Sequence, residues 1–392
     1  MKKLIISVAM MALLSCQSLD IPAPDAQVNC TIATTTHPKH AAYQGLLDRY
    51  TAQGIPGLNL LLDHPVDGCW QGAAGYADVE AGIPLSPCHR MITASLIKSY
   101  IAVIVLQLAE EGKLSLEDQL TPYLDEKLLR RIPNGQTATI RQLLQCRSGM
   151  PDVFETDFLL DFLNQPTRQY SMEELMRYLY GVKPAAAPGE RFYYGDGNFI
   201  LLSMLIEKVD APLKESYQTR IFDRLGSTDA FLVEQPDELP TQVPASYWDR
   251  YGNGVLENVS DIQTALIAGL AGTDGVVSSL SDLASFMDGL RKGVLLSAAS
   301  YQEMVDVIAI PDGQSQQNYV GYGLGIGQVK VSGETWYGSF GNHVGSAAMM
   351  LYNPTRQTTL IMAQNVGTFF NDAAKQRFFY ELIVEVEKIA FE

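Results

Sequence analysis

Strand-like patterns lie near both ends of this chain, and helix-like patterns fill the middle. Apolar or alternating runs of strand length, bounded by turn residues, occur at residues 57–63, 69–76, 322–331, 335–340, 347–352 and 358–364. From about residue 95 to residue 267 the spacing of apolar residues is helical instead. The simplest fold that buries both sets of strands is one antiparallel sheet, built from the two ends, with an all-helical region inserted. The sequence therefore predicts an α+β fold.

Two further helical patterns, at residues 41–53 and 371–391, flank the strand-rich parts of the chain. We expect these terminal helices to cover the sheet, which gives a three-layer α/β arrangement. The predicted domain therefore covers residues 41–392. Its sheet part takes residues 41–92 and 270–392, and its helical part takes residues 93–269.

Residues 1–15 have the form of a secretory signal peptide, with two lysines followed by a short apolar run. They end in Leu-Leu-Ser before Cys16, which resembles the cleavage box of bacterial lipoproteins. That resemblance implies a lipid on Cys16, a tether over residues 16–40, and a place on the periplasmic face of the bacterial cell envelope, with the lipid as the membrane contact. The alternative is an ordinary signal peptide that happens to precede a cysteine.

Four cysteines remain after Cys16, and an oxidising compartment would allow them to form disulfides. Cys69 and Cys88 flank a hairpin-like segment, so they are the first candidate pair. The other two are Cys30 and Cys146, and a buried free thiol is the alternative for Cys146. The spacing of cysteines and histidines does not indicate a metal site, and the sequence implies no cofactor.

The formal net charge of −16 argues against a nucleic-acid partner, because phosphate backbones are bound by basic surfaces and no basic block offsets this charge. The expected partner is a small-molecule or peptide substrate. The chain also lacks a Gly-x-Ser-x-Gly elbow and a phosphate-binding loop, which argues against enzymes built on those motifs.

Ser95 and Lys98 stand three residues apart at the start of a long apolar run. In a helix this spacing puts the hydroxyl and the amine on one face, which is a minimal arrangement of nucleophile and base for acyl transfer. The apolar neighbours of Lys98 predict a lowered pKa for its ammonium group. The alternative is a serine at a helix start with a lysine that extends from a core helix to solvent.

Two later stretches join this pair in a family pattern. Ser95-x-x-Lys98, Tyr194-x-Asp196 among aromatic residues, and His343-Val344-Gly345 resemble the three motifs of serine hydrolases of the class C β-lactamase type. That family includes penicillin-binding DD-peptidases, D-aminopeptidases and carboxylesterases, and related class A enzymes carry a similar set of three motifs. The resemblance runs from about residue 57 to residue 364, and it implies a β-lactamase/transpeptidase-like fold.

The resemblance also implies roles for the first two motifs. Ser95 would attack an acyl carbonyl and form an acyl-enzyme, which water then hydrolyses. Lys98 and Tyr194 would share the proton transfers, and the sequence leaves open which of them is the base. A phenol beside an ammonium group is expected to have a pKa well below its usual value of about 10.

The third motif is implied to bind the substrate. The resemblance places His343, Val344 and Gly345 on a strand beside the substrate, and it gives the oxyanion hole to the backbone N–H groups of Ser95 and Ser346. Val344 lacks the hydroxyl group that a threonine at this place offers to a substrate carboxylate.

Asp196 stands where relatives that process β-lactams often have asparagine. An ionised carboxylate cannot donate a hydrogen bond to a substrate carbonyl, and it would hold Lys98 protonated. These departures favour a hydrolase for D-amino-acid-containing peptides (a DD-carboxypeptidase or D-aminopeptidase type) or for small esters. Two alternatives stay open: a class C-type β-lactamase, and a catalytically silent module that binds penicillin or peptidoglycan.

Overall fold

The structure is a computed structural model that describes residues 21–26, 28, 30, 32, 35–270, 272–313, 318–367 and 373–392, without the side chains of residues 373–379. The predicted signal peptide and Cys16 lie outside the described residues, as does part of the predicted tether. Within the described part of the chain, no helix is long and apolar enough to cross a lipid bilayer.

Most of the strands belong to one antiparallel sheet. The strands of the described chain are β1 (Gly57–His64), β2 (Gly68–Asp78), β3 (Ile83–Pro84), β4 (Met91–Ile92), β5 (Phe231–Leu232), β6 (Tyr247–Trp248), β7 (Glu257–Asn258), β8 (Val276–Ser278), β9 (Ile308–Ala309), β10 (Gly321–Tyr322), β11 (Gly327–Val331), β12 (Glu334–Asn342), β13 (Ala347–Asn353) and β14 (Thr358–Gln364). The large sheet has the order β3-β2-β1-β14-β13-β12-β11-β10-β9. Strand β1 pairs with β14, so strands from the two ends of the chain meet inside the sheet.

Helices cover this sheet and form the middle of the chain. They are α1 (His40–Ala52), α2 (Ile97–Glu110), α3 (Glu126–Leu129), α4 (Ile140–Leu144), α5 (Phe158–Asn164), α6 (Met172–Arg177), α7 (Asp196–Val209), α8 (Leu213–Tyr217), α9 (Asp223–Leu225), α10 (Ser260–Gly269), α11 (Leu280–Arg291), α12 (Ala298–Val305) and α13 (Ala373–Phe391). The predicted α+β fold is confirmed, because strands from both ends form one antiparallel sheet around an inserted helical region.

A buried core joins the large sheet to the helices. Strands β13 and β14 are buried along their whole length, which fits their nearly continuous apolar sequences. Helix α2 is buried from Ile97 to Leu108 and is therefore apolar nearly all round. It packs against α7, and the turn just before α2 contacts β12 and β13. The first two candidate motifs lie at this junction of helices and sheet.

Three short strands form a small second sheet that the sequence patterns do not reveal. Strand β8 pairs with β4 on one side and with β5 on the other. Each of these strands has two or three residues, which is too short for an alternating pattern to stand out. They join the segment before Ser95 to the segment after α10, so they help to fix the nucleophile turn.

The predicted Cys69–Cys88 disulfide is wrong. The disulfide joins Cys30 to Cys88, whereas Cys69 is exposed and free at the start of β2. The N-terminal segment reaches Cys88 because it is held against the domain body: the Asp25 N–H donates to the Thr241 carbonyl at 2.7 Å. Cys146 is buried and free, which agrees with the buried-thiol alternative for this residue.

Removing the Cys30–Cys88 bridge should destabilise the protein. The bridge closes a chain segment across 58 positions, so it restricts the unfolded chain strongly. We expect Cys30→Ala/Cys88→Ala to lower the free energy of unfolding by about 2–4 kcal/mol, measured by urea denaturation. The matched control is Cys69→Ala, which removes an exposed free thiol and should change that free energy by less than about 0.5 kcal/mol. Equal unfolding midpoints for the double variant and the wild type would contradict the expectation.

Candidate active site

Ser95 lies in a tight turn just ahead of the central helix. Residues Ala94–Leu96 form a 3₁₀ turn, and α2 begins at Ile97, two residues later than the sequence pattern indicates. Ala94 has a φ of 48°, a left-handed conformation that is costly for a residue with a side chain. The Ser95 side chain stays partly exposed while both neighbours are buried. The turn therefore presents this hydroxyl group to solvent at the positive end of α2.

Lys98 contacts the Ser95 hydroxyl from the next turn of the helix. Its Nζ donates to Ser95 Oγ at 2.7 Å, and the same Nζ lies 2.6 Å from Asp196 Oδ1. The Lys98 side chain is only 1% exposed. A buried ammonium group must be paired to be stable, and here Asp196 provides the pairing charge.

The expected low pKa of Lys98 is wrong. Burial lowers the pKa of this ammonium group, as the apolar neighbours suggest. The charge of Asp196 and hydrogen bonds to Asp196 and Tyr194 raise it by more, so the pKa lies above its usual value. Lys98 is therefore an ammonium group at neutral pH in the absence of substrate, as the carboxylate at Asp196 predicts.

Tyr194 completes the contacts around Ser95. Its hydroxyl group forms hydrogen bonds with Ser95 and with Lys98, and the Lys98 Nζ lies 5.1 Å from the centre of its ring. Burial, more than any other cause, raises the pKa of Tyr194 to about 12, and the positive charge of Lys98 only partly offsets this. The expectation of a phenol with a depressed pKa is wrong, and Tyr194 is protonated at neutral pH.

The segment from Tyr194 to Asn198 owes its shape to the start of α7. Asp196 is the first residue of that helix, where a carboxylate is favoured by the helix dipole. The buried Asn198 donates from Nδ2 to the Gly195 carbonyl at 2.9 Å and accepts from the Ser148 hydroxyl at 2.5 Å. These bonds tie the second motif to the loop at Ser148. The sequence gives no signal for this contact, because the two residues are 50 positions apart.

A second carboxylate lies next to Asp196. Asp152 Oδ1 accepts the backbone N–H of Asp196 at 3.3 Å, and the same side chain caps the short turn Val153–Glu155. Burial and the charge of Asp196 raise the pKa of Asp152 to about 7. Sequence reasoning missed this residue, because an aspartate that caps a turn is common and its neighbour Asp196 is 44 positions away.

Strand β12 approaches the nucleophile turn at Gly341. A Cβ atom at this position would lie 2.1 Å from the Thr93 carbonyl oxygen and 3.1 Å from the Ser95 nitrogen. Because such distances exclude any side chain, only glycine allows the strand to pass this close to the turn. Gly341 is not part of the predicted third motif.

Beyond the end of β11, one edge of β12 faces the nucleophile turn. Strand β11 pairs with β12 only as far as Gly338, while β13 continues to Asn342. The Phe340 N–H points away from β13 and donates to the Tyr319 hydroxyl at 3.1 Å. Alternate residues of a strand direct their N–H groups to the same side, so the N–H of Asn342 faces this edge as well.

The predicted third motif lies in the turn between β12 and β13. His343 contacts Gln263 and Asp274 there, and Gly345 lies against Ser246 and Gln263. The turn is closed by a hydrogen bond from the His343 N–H to the Ser346 carbonyl at 2.8 Å. The structure thus brings together Ser95, Lys98, Tyr194 and Asp196, whereas His343, Val344, Gly345 and Ser346 form a neighbouring turn. The residue of β12 that lies against Ser95 is Gly341.

The described residues contain no group of three or more His, Cys, Asp or Glu side chains that could hold a metal ion. The polar side chains that contact Ser95 are the Lys98 ammonium group and the Tyr194 phenol, and Asp196 pairs with Lys98; these are groups for proton transfer and charge stabilisation.

The comparison with protein families agrees with this geometry. The model of the beta-lactamase family matches residues 43–384, which is most of the chain. The chain belongs to the beta-lactamase family. This family consists of serine hydrolases, so the resemblance seen in the sequence motifs is confirmed.

Relatives of this beta-lactamase family member carry several names. "Putative penicillin-binding protein PbpX" of Bacillus subtilis (strain 168) is 27% identical over 299 residues, which cover 74% of this chain and 66% of that protein. "Protein flp" of Staphylococcus aureus (strain MW2) is 29% identical over 170 residues, 43% of this chain. The chain spans about a third of the length of that relative.

Solved structures show the same fold. A D-stereospecific amidohydrolase from Streptomyces sp. is 26% identical with a TM-score of 0.74, and the match covers 84% of this chain and 95% of that one. The D-amino acid amidase of Ochrobactrum anthropi SV3 is 22% identical with a TM-score of 0.75, and the match covers 89% of this chain and 97% of that one. The β-lactamase/transpeptidase-like fold predicted from the sequence is confirmed.

Proposed function

We propose that this chain hydrolyses amide bonds in substrates that contain a D-amino acid, through an acyl-enzyme on Ser95. The observation that carries the proposal is the placement of the Ser95 hydroxyl between Lys98 Nζ, at 2.7 Å, and the Tyr194 hydroxyl. The stereochemical preference is supported by the amidohydrolase from Streptomyces sp., which is named D-stereospecific and matches over 84% of this chain.

Tyr194 would carry the proton in the acylation step. As Ser95 Oγ forms its bond to the substrate carbonyl carbon, the Ser95 proton passes to the Tyr194 oxygen, and the phenolic proton of Tyr194 passes to the leaving nitrogen. This relay never requires a free phenolate, which suits a tyrosine with a pKa of about 12. The C–N bond then breaks and releases the amine. Water attacks the ester in the second step, and the same relay returns the proton to Ser95.

Lys98 would act as a fixed positive charge in this mechanism. Its ammonium group donates to Ser95 Oγ and is held by Asp196 at 2.6 Å. Negative charge that develops on Ser95 Oγ or on the Tyr194 oxygen during the relay is stabilised by this cation. A preorganised charge in a buried site is worth more than the same charge in water.

The oxyanion hole would consist of the backbone N–H groups of Ser95 and Asn342. The Ser95 nitrogen lies against Gly341, the residue before Asn342, and the Asn342 N–H faces the same edge of β12. This assignment replaces Ser346, the second donor expected from the sequence. One such donor is typically worth about 3–4 kcal/mol of transition-state stabilisation.

The direct test is mass spectrometry of the intact protein after brief mixing with substrate. We would compare D- and L-alanine p-nitroanilide, a p-nitrophenyl ester and a penicillin, and map any acyl adduct to the peptide that contains Ser95. The proposal expects faster release of p-nitroaniline from the D-anilide than from the L-anilide. Ester turnover alone would indicate an esterase, and hydrolysis of penicillin alone would indicate a β-lactamase. The absence of both turnover and an adduct would favour a catalytically silent binding module.

Replacing Asp196 should change the pH dependence of the reaction. Asp196 raises the pKa of Lys98, so the ammonium form persists as the pH rises. In Asp196→Asn the lowering effect of burial is no longer opposed by that charge, and Lys98 should lose its proton at a lower pH. We therefore expect the alkaline limb of kcat/KM to move to lower pH in a stopped-flow pH series. Asp312→Asn, at an exposed aspartate, is the control, and an unshifted limb in Asp196→Asn would reject this role.

We also propose that the protein works in the cell envelope, attached through a lipid on Cys16. The Cys30–Cys88 disulfide supports an oxidising compartment, because such bonds are rare in the cytosol of mesophiles. Metabolic labelling of the expressed full chain with a radioactive fatty acid tests the anchor. The label should be present in the wild type and absent from Cys16→Ser.

A further inference from the structure

We propose that His343 is a positioning residue that holds the end of β12, and with it the N–H of Asn342, in place for the reaction. His343 follows Asn342 directly and is 7% exposed. It was predicted to contact substrate, but its ring lies between Gln263 of α10 and Asp274 of the loop before β8. The inference rests on the proposed hydrolase function, because it needs Asn342 to be an oxyanion donor.

Both ring nitrogens of His343 meet oxygen atoms. Nδ1 lies 2.9 Å from Gln263 Oε1, and Nε2 lies 3.0 Å from Asp274 Oδ2. The orientation of the Gln263 amide is fixed by a third group, because the Gly345 N–H donates to the same Oε1 at 2.7 Å. A flipped amide would turn its NH₂ group towards that N–H, so Oε1 is the acceptor for both.

This arrangement places a proton on Nδ1 of the ring. Oε1 of an amide accepts hydrogen bonds and cannot donate, so Nδ1 must carry a proton. Nε2 faces Asp274 Oδ2 at 3.0 Å on the opposite edge, so the ring is held between two elements of the fold. The side chains of His343 and Asp274 are both almost fully buried, so solvent does not compete for these contacts.

The contacts of His343 connect three parts of the fold: α10, the loop before β8, and the turn after β12. Gln263 holds both His343 and Gly345, and the His343 N–H closes the turn on the Ser346 carbonyl at 2.8 Å. A Cβ at Gly345 would lie 2.5 Å from Ser246 Cβ, so the turn also fits closely against its neighbours. The pairing of β12 with β11 ends at Gly338, so beyond that residue β12 is held by its pairing with β13 and by these contacts next to Asn342.

The test compares His343→Gln with the wild type and with a second buried histidine. His343→Gln should lower kcat about 10- to 100-fold and change KM less than about 3-fold, because a misplaced oxyanion donor affects the transition state more than the bound substrate. The inhibition constant of an arylboronic acid, whose tetrahedral adduct on Ser95 imitates that state, should rise by a similar factor. His89→Gln is the control: His89 is 1% exposed and bonds Ser86, so its loss should affect unfolding but leave kcat and KM unchanged.

Asp274→Asn gives a second route if His343→Gln does not fold. It should lower kcat in the same way, and the double variant should be no worse than the more impaired single one, since the two residues act as one unit. A kcat within about 2-fold of wild type in either folded single variant would overturn the inference, as would an equal loss in His89→Gln.

A spectroscopic measurement tests the proton on Nδ1 without any turnover. In ¹⁵N-labelled wild-type protein, the resonances assigned to His343 by their absence from His343→Gln should show a protonated Nδ1. An unprotonated Nδ1 would overturn the contact with Gln263 Oε1. If the wild type forms no acyl adduct on any substrate, the proposed function fails, and the nitrogen resonances and the boronate adduct still report separately on the His343 arrangement.

Discussion

Ser95→Ala should reduce kcat by about 10⁴-fold or more. Ser95 Oγ is the atom that bonds the substrate carbonyl carbon, and alanine leaves Lys98 and Tyr194 without a nucleophile to act on. Losses of this size are typical when the nucleophile of a serine hydrolase is removed, and the residual rate comes from binding and the oxyanion hole. The measurement is single-turnover release of p-nitroaniline from the preferred anilide.

The fold should hardly respond to the same change. Ser95 is partly exposed, so the alanine variant should unfold within about 0.5 kcal/mol of the wild type. Ser285→Ala, at an exposed serine on α11, is the matched control and should keep full activity. If Ser95→Ala retains more than a tenth of the wild-type rate, another residue is the nucleophile and the proposed mechanism is wrong.

Lys98→Met should have the second-largest effect, and it should impair both activity and stability. The ammonium group contacts the nucleophile at 2.7 Å, so its loss removes the charge that stabilises the relay, and we expect kcat to fall about 10³-fold. It also leaves Asp196 as an unpaired and mostly buried carboxylate. Breaking a buried pair in this way typically costs about 3–5 kcal/mol of unfolding free energy.

A double variant separates these two effects. Lys98→Met/Asp196→Asn removes both charges, so the penalty for an unpaired carboxylate disappears and much of the lost stability should return. Activity should not return, because no ammonium group is restored. Urea denaturation and the p-nitroaniline assay on the same preparations measure both quantities. Recovery of activity in the double variant would show that Lys98 serves only to neutralise Asp196.

The first two motifs could be found from the sequence because their geometry is local. Ser95 and Lys98 are one helical turn apart, and Tyr194 and Asp196 frame the start of one helix. Local spacing of this kind survives in any fold that keeps the two helices. The confirmed α+β fold has the same origin, since strand and helix periods can be read directly from the chain.

The third motif could not be placed correctly for a tertiary reason. Two triplets ending in glycine, Ser339-Phe340-Gly341 and His343-Val344-Gly345, lie within seven residues, and the histidine favoured the second. Gly341 lies against Thr93 and Ser95, a contact between parts of the chain that are far apart in sequence, so no local spacing shows which triplet lies beside Ser95. The disulfide was misassigned for a similar reason, because the segment with Cys30 lies against distant parts of the chain, as the contact of Asp25 with Thr241 shows.

The protonation states depended on competing effects that a sequence cannot weigh. Apolar neighbours around Lys98 do lower its pKa, but Asp196 at 2.6 Å outweighs them. For Tyr194, burial outweighs the effect of the nearby ammonium group on the pKa. The sign of each result is set by distances of a few ångströms, and only the folded structure supplies those distances.

The edge of β12 that β11 leaves uncovered beyond Gly338 has a consequence for molecular evolution. Under the proposed mechanism, the substrate carbonyl meets this edge at the N–H of Asn342, a main-chain group that binds a carbonyl whatever the side chains of the substrate are. Selectivity for one substrate over another must then depend on the side chains around the site, which can be substituted singly without changing the reacting groups. A lineage built on such an edge can exchange one substrate for another in small steps, without passing through an inactive ancestor.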